Sequence, residues 1–176
     1  MVGGGWTVFE RRSVGDLDFS SKNWEDYRFS FGSPDGDFWL GLEYLHDLTV
    51  ADSDVYFDYT IKTGDAPFFA QYHNFSVADN SNKFKMTVSS FFEMTAAYTS
   101  IRYGGFYDHN NMMFSTQDSD NDISSTDCAS NRGAWWWKNC YTFGMFLYYF
   151  HDMRMFMGGN DYVYFKDTVM KVRRTK

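Results

Sequence analysis

The chain has 176 residues, with 16 Lys and Arg against 23 Asp and Glu, which gives a formal net charge of −7. This length suits one domain, and the acidic balance argues against nucleic acid as a partner. No run of about 20 apolar residues occurs, so no membrane-spanning helix is predicted. The aromatic content of 22% is too high for a disordered chain, so these rings are buried or presented to a partner.

Two short helices are predicted in the first fifty residues. Residues 20–23 supply polar caps before Trp24, Tyr27 and Phe31, which share one helical face. Residues 32–36 contain two Gly and one Pro and end this helix. Residues 38–46 then predict a second helix with Leu42 and Leu45 facing inward.

Strand patterns follow from residue 55. Apolar and polar residues alternate over 55–61, and a turn is expected at 63–65. Further strands are predicted at 68–72, 84–88 and 91–93, and a final strand at Thr168–Arg173. Helices followed by a run of strands indicate an α+β fold with an antiparallel sheet.

The sequence contains two cysteines, Cys128 and Cys140, without the ligand spacing of a zinc site. A disulfide between them would stabilise the fold by about 3 kcal/mol in an oxidising compartment, and two reduced buried thiols are the alternative. Asn74 begins a glycosylation sequon, which agrees with secretion, although residues 1–6 show no signal peptide.

An acidic segment precedes Cys128, because residues 103–131 contain no Lys or Arg. Asp118, Asp120 and Asp122 alternate along it, and such dense like charges favour a bound cation, with calcium fitting an all-oxygen donor set best. The spacing is not that of an EF-hand, since Ile123 stands at the sixth loop position. The alternative is a solvated acidic turn.

Three consecutive tryptophans, Trp135, Trp136 and Trp137, lie between the two cysteines. In an extended chain Trp135 and Trp137 share one face and Trp136 occupies the other. We therefore expect two of the rings to pack in the core and at least one to line a ligand pocket or an interface.

The sequence offers little support for catalysis. His46, His73, His109 and His151 are far apart, and no nucleophile elbow, HExxH helix or phosphate-binding glycine loop occurs. The sequence therefore predicts that the chain is not an enzyme.

Several ordered motifs resemble fibrinogen-related domains, the family that includes ficolins, tachylectins, angiopoietins, tenascins and fibrinogen chains. The motifs are Gly3 to Arg12, Asp18-Phe19, Trp24, Phe38 to Gly41, His46 to Thr49, Phe114 to Thr116, Asp120 to Asp122, Cys128-Ala129 and Gly133 to Trp136. The family's N-terminal subdomain does not precede Gly3, so the neighbour of the first strand is expected to be either absent, which leaves a sheet edge open, or supplied from elsewhere.

The resemblance implies a central twisted antiparallel sheet flanked by short helices, with a loop-rich C-terminal lobe for calcium and ligand. It places a single domain over 1–176, with the sheet subdomain in about 1–100 plus 163–176 and the lobe in about 101–162. It implies a calcium ion held by the side chains of Asp120 and Asp122 and by the backbone carbonyls of Ser124 and Thr126. It also implies a disulfide between Cys128 and Cys140.

In lectin-like members an acetyl group docks beside this disulfide at a cis peptide, which would here join Asn139 to Cys140. Such a bond costs about 3 kcal/mol without proline. The implied pocket consists of Asn139, Cys140, Tyr141, Phe150 and Tyr162. Two positions depart from the lectin pattern, because Tyr141 replaces the usual His and no Tyr stands near Asn131 and Arg132.

The resemblance leads to a secreted, non-enzymatic domain that binds glycans or acetylated groups on microbial or host surfaces with the help of calcium. The rival hypothesis is a protein-binding module of the angiopoietin or tenascin kind, which contacts a receptor or matrix protein. A third is a structural fragment whose ligand site has decayed. A homo-oligomer is compatible with each, since family members gain avidity from attached segments.

Overall fold

The structure is a computed structural model that describes residues 5–13, 15, 17–50, 55–63, 66–89, 91–94, 108–140, 145–146, 154–156, 162–164 and 167–174. In residues 55–63, 66–70, 91–94, 145–146, 154–156 and 162–164 the description is limited to the backbone. Antiparallel sheets and short helices give the α+β class that the sequence predicts.

A seven-stranded sheet forms the centre of the fold, with the strand order β2-β3-β1-β12-β4-β5-β8. Its paired strands are antiparallel. Its strands are β1 (Thr7–Arg12), β2 (Phe31–Gly32), β3 (Phe38–Trp39), β4 (Val55–Thr63), β5 (Ala66–Tyr72), β8 (Phe91–Met94) and β12 (Asp167–Arg174).

The last strand, β12, lies between β1 and β4, and this confirms the predicted C-terminal strand. Thr168, Met170 and Val172 are buried on one face, as the period of two requires. Strand β1 is paired on both sides, with β12 and β3. Of the two alternatives for the neighbour of β1, absent or supplied from elsewhere, the structure agrees with the second, because strands from later in the chain lie on both sides of β1.

The first helix, α1 (Trp24–Phe29), begins with a capping box. The Asn23 side chain accepts a hydrogen bond from the Asp26 amide, and the Asp26 carboxylate accepts one from the Asn23 amide. Tyr27 is fully buried, and its hydroxyl donates to the Phe19 carbonyl at 2.9 Å. The helix ends before Phe31, which lies in β2.

The second helix, α2 (Leu42–Val50), begins later than predicted, because Phe38 and Trp39 form β3 and pair with β1. Gly41 separates the two elements at a φ of 111°, and a Cβ there would lie 1.8 Å from the Phe29 carbonyl oxygen. Leu42 and Leu45 are fully buried, as predicted. The correction concerns residues 38–41, where sheet pairing overrides a helix-like apolar pattern.

Shorter elements complete the described chain. They are β6 (Ser76–Val77), a 3₁₀ turn (Asn80–Asn82), β7 (Met86–Thr87), α3 (Cys128–Arg132), β9 (Met145–Phe146), β10 (Arg154–Phe156) and β11 (Tyr162–Tyr164). Strands β6 and β7 pair with each other, and β9, β10 and β11 form a three-stranded sheet in the order β11-β10-β9. Within these described ranges, no helix has the length and apolar character needed to cross a bilayer.

Candidate functional site

An acidic loop, defined here as residues 117–127, is anchored to the core at both ends. On one side Phe114, Ser115 and Thr116 are buried, and Ser115 pairs with Trp135 through two backbone hydrogen bonds of 2.9 and 3.0 Å. On the other side α3 begins at the disulfide-bonded Cys128. The polar loop is thus supported by buried chain on both sides.

Asn121 braces the interior of the loop. Its side-chain amide donates to the Phe114 carbonyl at 2.9 Å, and its backbone amide donates to the Ser115 hydroxyl at 3.0 Å. These bonds fix the residue between Asp120 and Asp122 to the buried segment. The two carboxylates consequently leave the loop from a defined backbone.

Asp118 has a structural role. Its Oδ1 accepts from the Trp24 amide at 2.9 Å and from the Thr116 hydroxyl at 2.7 Å. Trp24 is the first residue of α1, so Asp118 satisfies one of the amides that have no partner within that helix. Its negative charge also interacts favourably with the positive end of the helix dipole. The acidic loop is thereby tied to α1.

Three other carboxylates converge. Asp120, Asp122 and Asp127 each place one oxygen within 4.8 Å of the others. The Asp122 carboxylate spans the loop, since Oδ1 accepts from the Ser124 amide at 2.8 Å and Oδ2 from the Cys128 amide at 2.9 Å. Asp120 accepts from the Asp122 amide at 3.1 Å.

This acidic cluster of Asp120, Asp122 and Asp127 has the chemistry of a calcium site. Its donors are hard oxygens, and its charges repel one another unless a cation is present. Partial burial raises the pKa of Asp122 and the charge of Asp120 adds to this, although the hydrogen bonds from the Cys128 and Ser124 amides lower it. Asp120 and Asp122 would hold the ion, with the carbonyls of Ser124 and Thr126 on the same loop, and the ion would neutralise and order the loop.

The sequence reasoning did not include Asp127 among the ligands. Its carboxylate also caps α3, accepting from the Ser130 amide at 2.9 Å and from the Ser130 hydroxyl. An Asp directly before a helix that begins at Cys128 is a capping signal that the sequence does contain. Its proximity to Asp120 and Asp122 depends on the fold of the loop.

The disulfide between Cys128 and Cys140 is present, with Cα atoms 4.9 Å apart. Each sulfur lies 3.6 Å from the Thr126 carbonyl oxygen, so the disulfide packs against the end of the acidic loop. The expected cis bond between Asn139 and Cys140 is not found, because every described peptide bond is trans. Asn139 and Cys140 are therefore joined by a trans peptide bond.

All three tryptophans are buried, which corrects the expectation that at least one ring lines a pocket or an interface. Trp135 and Trp137 do share a side, since both rings lie edge-on to His109 at 6.4 and 6.1 Å. Trp136 points the other way and packs against Phe114 at 4.9 Å. His109 and Phe114, which lie close together in the sequence, thus cover the two faces of the cluster.

The implied acetyl pocket is only partly described. Asn139 is exposed and Cys140 is buried. Tyr141 and Phe150 lie outside the described residues, and Tyr162 belongs to β11, where the description covers the backbone. The proposed pocket thus stays a prediction at these positions.

The fold and the acidic loop beside a disulfide define the class of protein. The model of the family described as fibrinogen beta and gamma chains, C-terminal globular domain, matches residues 1–176. The chain belongs to this family. Human tenascin-R is 41% identical over 140 residues, which are 79% of this chain and 10% of tenascin-R. The chain thus spans about a tenth of the length of the curated relatives it matches.

Solved structures agree with this assignment. The fibrinogen-like globe domain of human ANGPTL2 is 28% identical with a TM-score of 0.83, over 98% of this chain and 82% of that one. Lamprey fibrin D-dimer, complexed with the peptide Gly-His-Arg-Pro-amide, is 25% identical with a TM-score of 0.79, over 97% of this chain and 62% of that one. The fold is therefore that of a fibrinogen-like globe domain.

Calcium is expected to raise the melting temperature of the chain. At a concentration about 100 times Kd, binding adds about 2.7 kcal/mol, or about 5–10 °C for a chain of this size. The double variant Asp120→Asn/Asp122→Asn should abolish this rise in differential scanning calorimetry. Asp35→Asn/Asp47→Asn removes the same charge at exposed positions outside the cluster and should keep the rise. An unchanged rise in the first variant would refute the ligand assignment.

Proposed function

We propose that this domain is an extracellular recognition module that binds a receptor or matrix protein through the surface of the acidic loop. The relationship to tenascin-R and the fold of the angiopoietin-like globe domains support a protein partner. The lamprey fibrin neighbour, which was solved with a peptide ligand, supports recognition of polypeptide by this fold. The Cys128–Cys140 disulfide supports an oxidising compartment.

The observation that carries the proposed surface is the exposure of Ile123. This apolar side chain is 66% exposed, more than any other large hydrophobic residue in the described part of the chain. It stands between Asp122 and Ser124, and the bonds from the Asp122 carboxylate to the Ser124 and Cys128 amides hold the chain on both sides of it. A rigidly supported apolar residue with a polar rim is typical of an interface anchor.

Calcium has an indirect role in this proposal. An ion at the acidic cluster removes the repulsion between Asp120 and Asp122, and Asp122 directly precedes Ile123 in the chain. The ordered loop then presents Ile123 with a smaller entropic cost of binding. Partner binding would depend on calcium although the partner does not touch the ion.

We propose that the domain acts by binding and not by catalysis. Two of the described histidines support this view, because His46 Nδ1 is 2.7 Å from the Val77 carbonyl oxygen and His109 is fully buried. The position of His46 is explained by its contact with the Val77 carbonyl, and that of His109 by packing against Trp135 and Trp137. Neither side chain is placed to serve a substrate.

Substitution of Ile123 tests the proposed surface. The chain would be screened against immobilised receptor ectodomains and matrix proteins, with calcium and with EDTA. For a partner retained in calcium, Ile123→Ser should weaken binding by about 10-fold or more, as expected for loss of an interface anchor. Val50→Ser is the matched control, since Val50 is 60% exposed on α2, and it should leave Kd unchanged.

The same chain applied to N-acetylglucosamine resin tests the lectin alternative. The proposal expects no retention. Retention in calcium with release by EDTA would contradict it and would favour recognition of acetylated glycans. Equal loss of protein binding in Ile123→Ser and Val50→Ser would reject the acidic loop as the contact surface.

A further inference from the structure

A modification motif lies outside the acidic loop, at residues 74–76. Asn74-Phe75-Ser76 is the one Asn-x-Ser/Thr triplet in the 176 residues. It connects the end of β5 at Tyr72 to the start of β6 at Ser76. We infer that Asn74 carries an N-linked glycan.

The connection that contains the motif is firmly held. The amide and the hydroxyl of Ser89 both donate to the His73 carbonyl at 3.0 Å. Phe75 is fully buried, and its ring stacks on Phe9 at 6.2 Å. These contacts fix the residues on both sides of Asn74.

Asn74 itself is the exposed residue of the connection, between half-buried His73 and buried Phe75. Its φ of 51° places it in the left-handed region, which Asn tolerates better than most residues. A sharp turn between two inward-held neighbours leaves Asn74 at the surface. An attached glycan would therefore extend into solvent without displacing the core.

The chemistry needs a glycan donor and an accessible motif. The donor is a polyprenyl-pyrophosphate-linked oligosaccharide. The bond between Asn74 Nδ2 and the sugar C1 forms, the bond from C1 to the phosphate oxygen breaks, and the lipid pyrophosphate leaves as the amide loses one proton. The donor acts in the secretory pathway, the compartment type in which the Cys128–Cys140 disulfide also forms.

The folded structure also indicates when the glycan is transferred relative to folding. The Ser76 hydroxyl, which the transferase must reach, lies 2.6 Å from the Thr87 hydroxyl and is half-buried. The two serve as a cross-strand pair between β6 and β7. Transfer before β6 pairs with β7, while the chain is still entering the compartment, leaves this hydroxyl free for the transferase.

The test separates the motif from the structural roles of its residues. The 176-residue chain would be expressed behind a cleavable secretion leader in eukaryotic cells, and the combined cell and medium pools would be analysed by gel and mass spectrometry. The parent chain should show a mass shift that peptide N-glycosidase removes, and the released peptide should contain aspartate in place of the glycosylated asparagine. Ser76→Thr keeps the triplet and should keep the shift.

Two hydroxyl variants form the matched pair. Ser76→Ala and Thr87→Ala each remove one partner of the same hydrogen bond, but only Ser76→Ala destroys the triplet. The shift should be lost in Ser76→Ala and kept in Thr87→Ala. Asn74→Gly, which suits the left-handed backbone, should also lose it. A parent chain without the shift, or a Ser76→Ala chain that retains it, would overturn the inference.

Discussion

Replacing Trp136 with alanine is expected to lower the free energy of unfolding by about 5 kcal/mol. The ring is fully buried and packs against Phe114 at 4.9 Å and Trp135 at 5.3 Å. Its indole nitrogen donates to the Phe84 carbonyl at 2.8 Å. Removal of a buried aromatic costs roughly 3–5 kcal/mol, and the loss of the indole donor to the carbonyl of fully buried Phe84 favours the upper end.

The measurement is urea unfolding of the parent and variant chains. Since domains are stable by about 5–15 kcal/mol, the alanine variant will be at the edge of folding. Trp136→Phe keeps a ring and loses the indole donor, so a smaller loss of about 2 kcal/mol is expected. Tyr44→Ala, at a position 52% exposed on α2, should change stability by less than about 1 kcal/mol. Equal losses in Trp136→Ala and Tyr44→Ala would contradict the packing described above.

Elements whose pattern is local were predictable from the sequence. The last strand, β12, alternates between buried and half-buried residues along its length, and its prediction over 168–173 is confirmed. The inward positions of Leu42 and Leu45 follow from helical spacing within one element. The disulfide between Cys128 and Cys140, which both the residues and the resemblance favour, is confirmed.

Elements that depend on distant partners were missed. Phe38 and Trp39 form a strand because β1, about thirty residues earlier, pairs with them. The burial of Glu10 could not be predicted either, since simple alternation places Glu10 and Phe9 on opposite faces of the strand. A register shift between Val8 and Glu10 in the pairing with β12 allows both Phe9 and Glu10 to be buried.

The candidate site shows the same limit. Alternation of Asp118, Asp120 and Asp122 suggests three equivalent carboxylates, but Asp118 binds the amide of Trp24 from another part of the chain. Asp127, which the pattern did not select, lies beside Asp120 and Asp122. Loop geometry decides which carboxylates converge, and periodicity carries no information about it.

Two buried titratable groups are expected to give opposite pH dependences of stability. Glu10 is fully buried, and desolvation raises its pKa from 4.5 to about 7. His109 is fully buried between Trp135 and Trp137, and desolvation lowers its pKa from 6.5 to about 4. Each group is thus disfavoured in its charged form by the folded chain.

The surroundings of the two groups explain these shifts. Glu10 Oε1 accepts from the Thr168 hydroxyl at 2.8 Å, whereas Oε2 has no hydrogen-bond partner among the described residues. Arg12 and Arg11 lower the pKa of Glu10 and Asp37 raises it, but burial outweighs them. Near His109, the positive charge of Lys138 adds to the effect of burial in lowering the pKa.

The sign follows from proton binding in the two states. Between pH 4.5 and 7 the folded chain holds a proton on Glu10 that the unfolded chain releases, so this group's contribution falls as pH rises. Between pH 6.5 and 4 the unfolded chain protonates His109 and the folded chain does not, so that contribution falls as pH drops. Each amounts to about 3 kcal/mol, and they largely cancel between pH 4.5 and 6.5.

Glu10→Gln should separate the two contributions. Relative to the parent, this variant should gain about 3 kcal/mol in the free energy of unfolding between pH 4 and pH 8, because it carries no buried carboxylate to ionise. His109→Phe keeps an aromatic ring beside Trp135 and Trp137 and should show the mirror image, gaining about 3 kcal/mol relative to the parent as pH falls from 8 to 4. Urea unfolding of the three chains at several pH values measures both differences, and titration of the remaining carboxylates cancels in the comparison. A difference between Glu10→Gln and the parent that stays constant with pH would show that Glu10 titrates alike in the folded and unfolded chains, contrary to its burial.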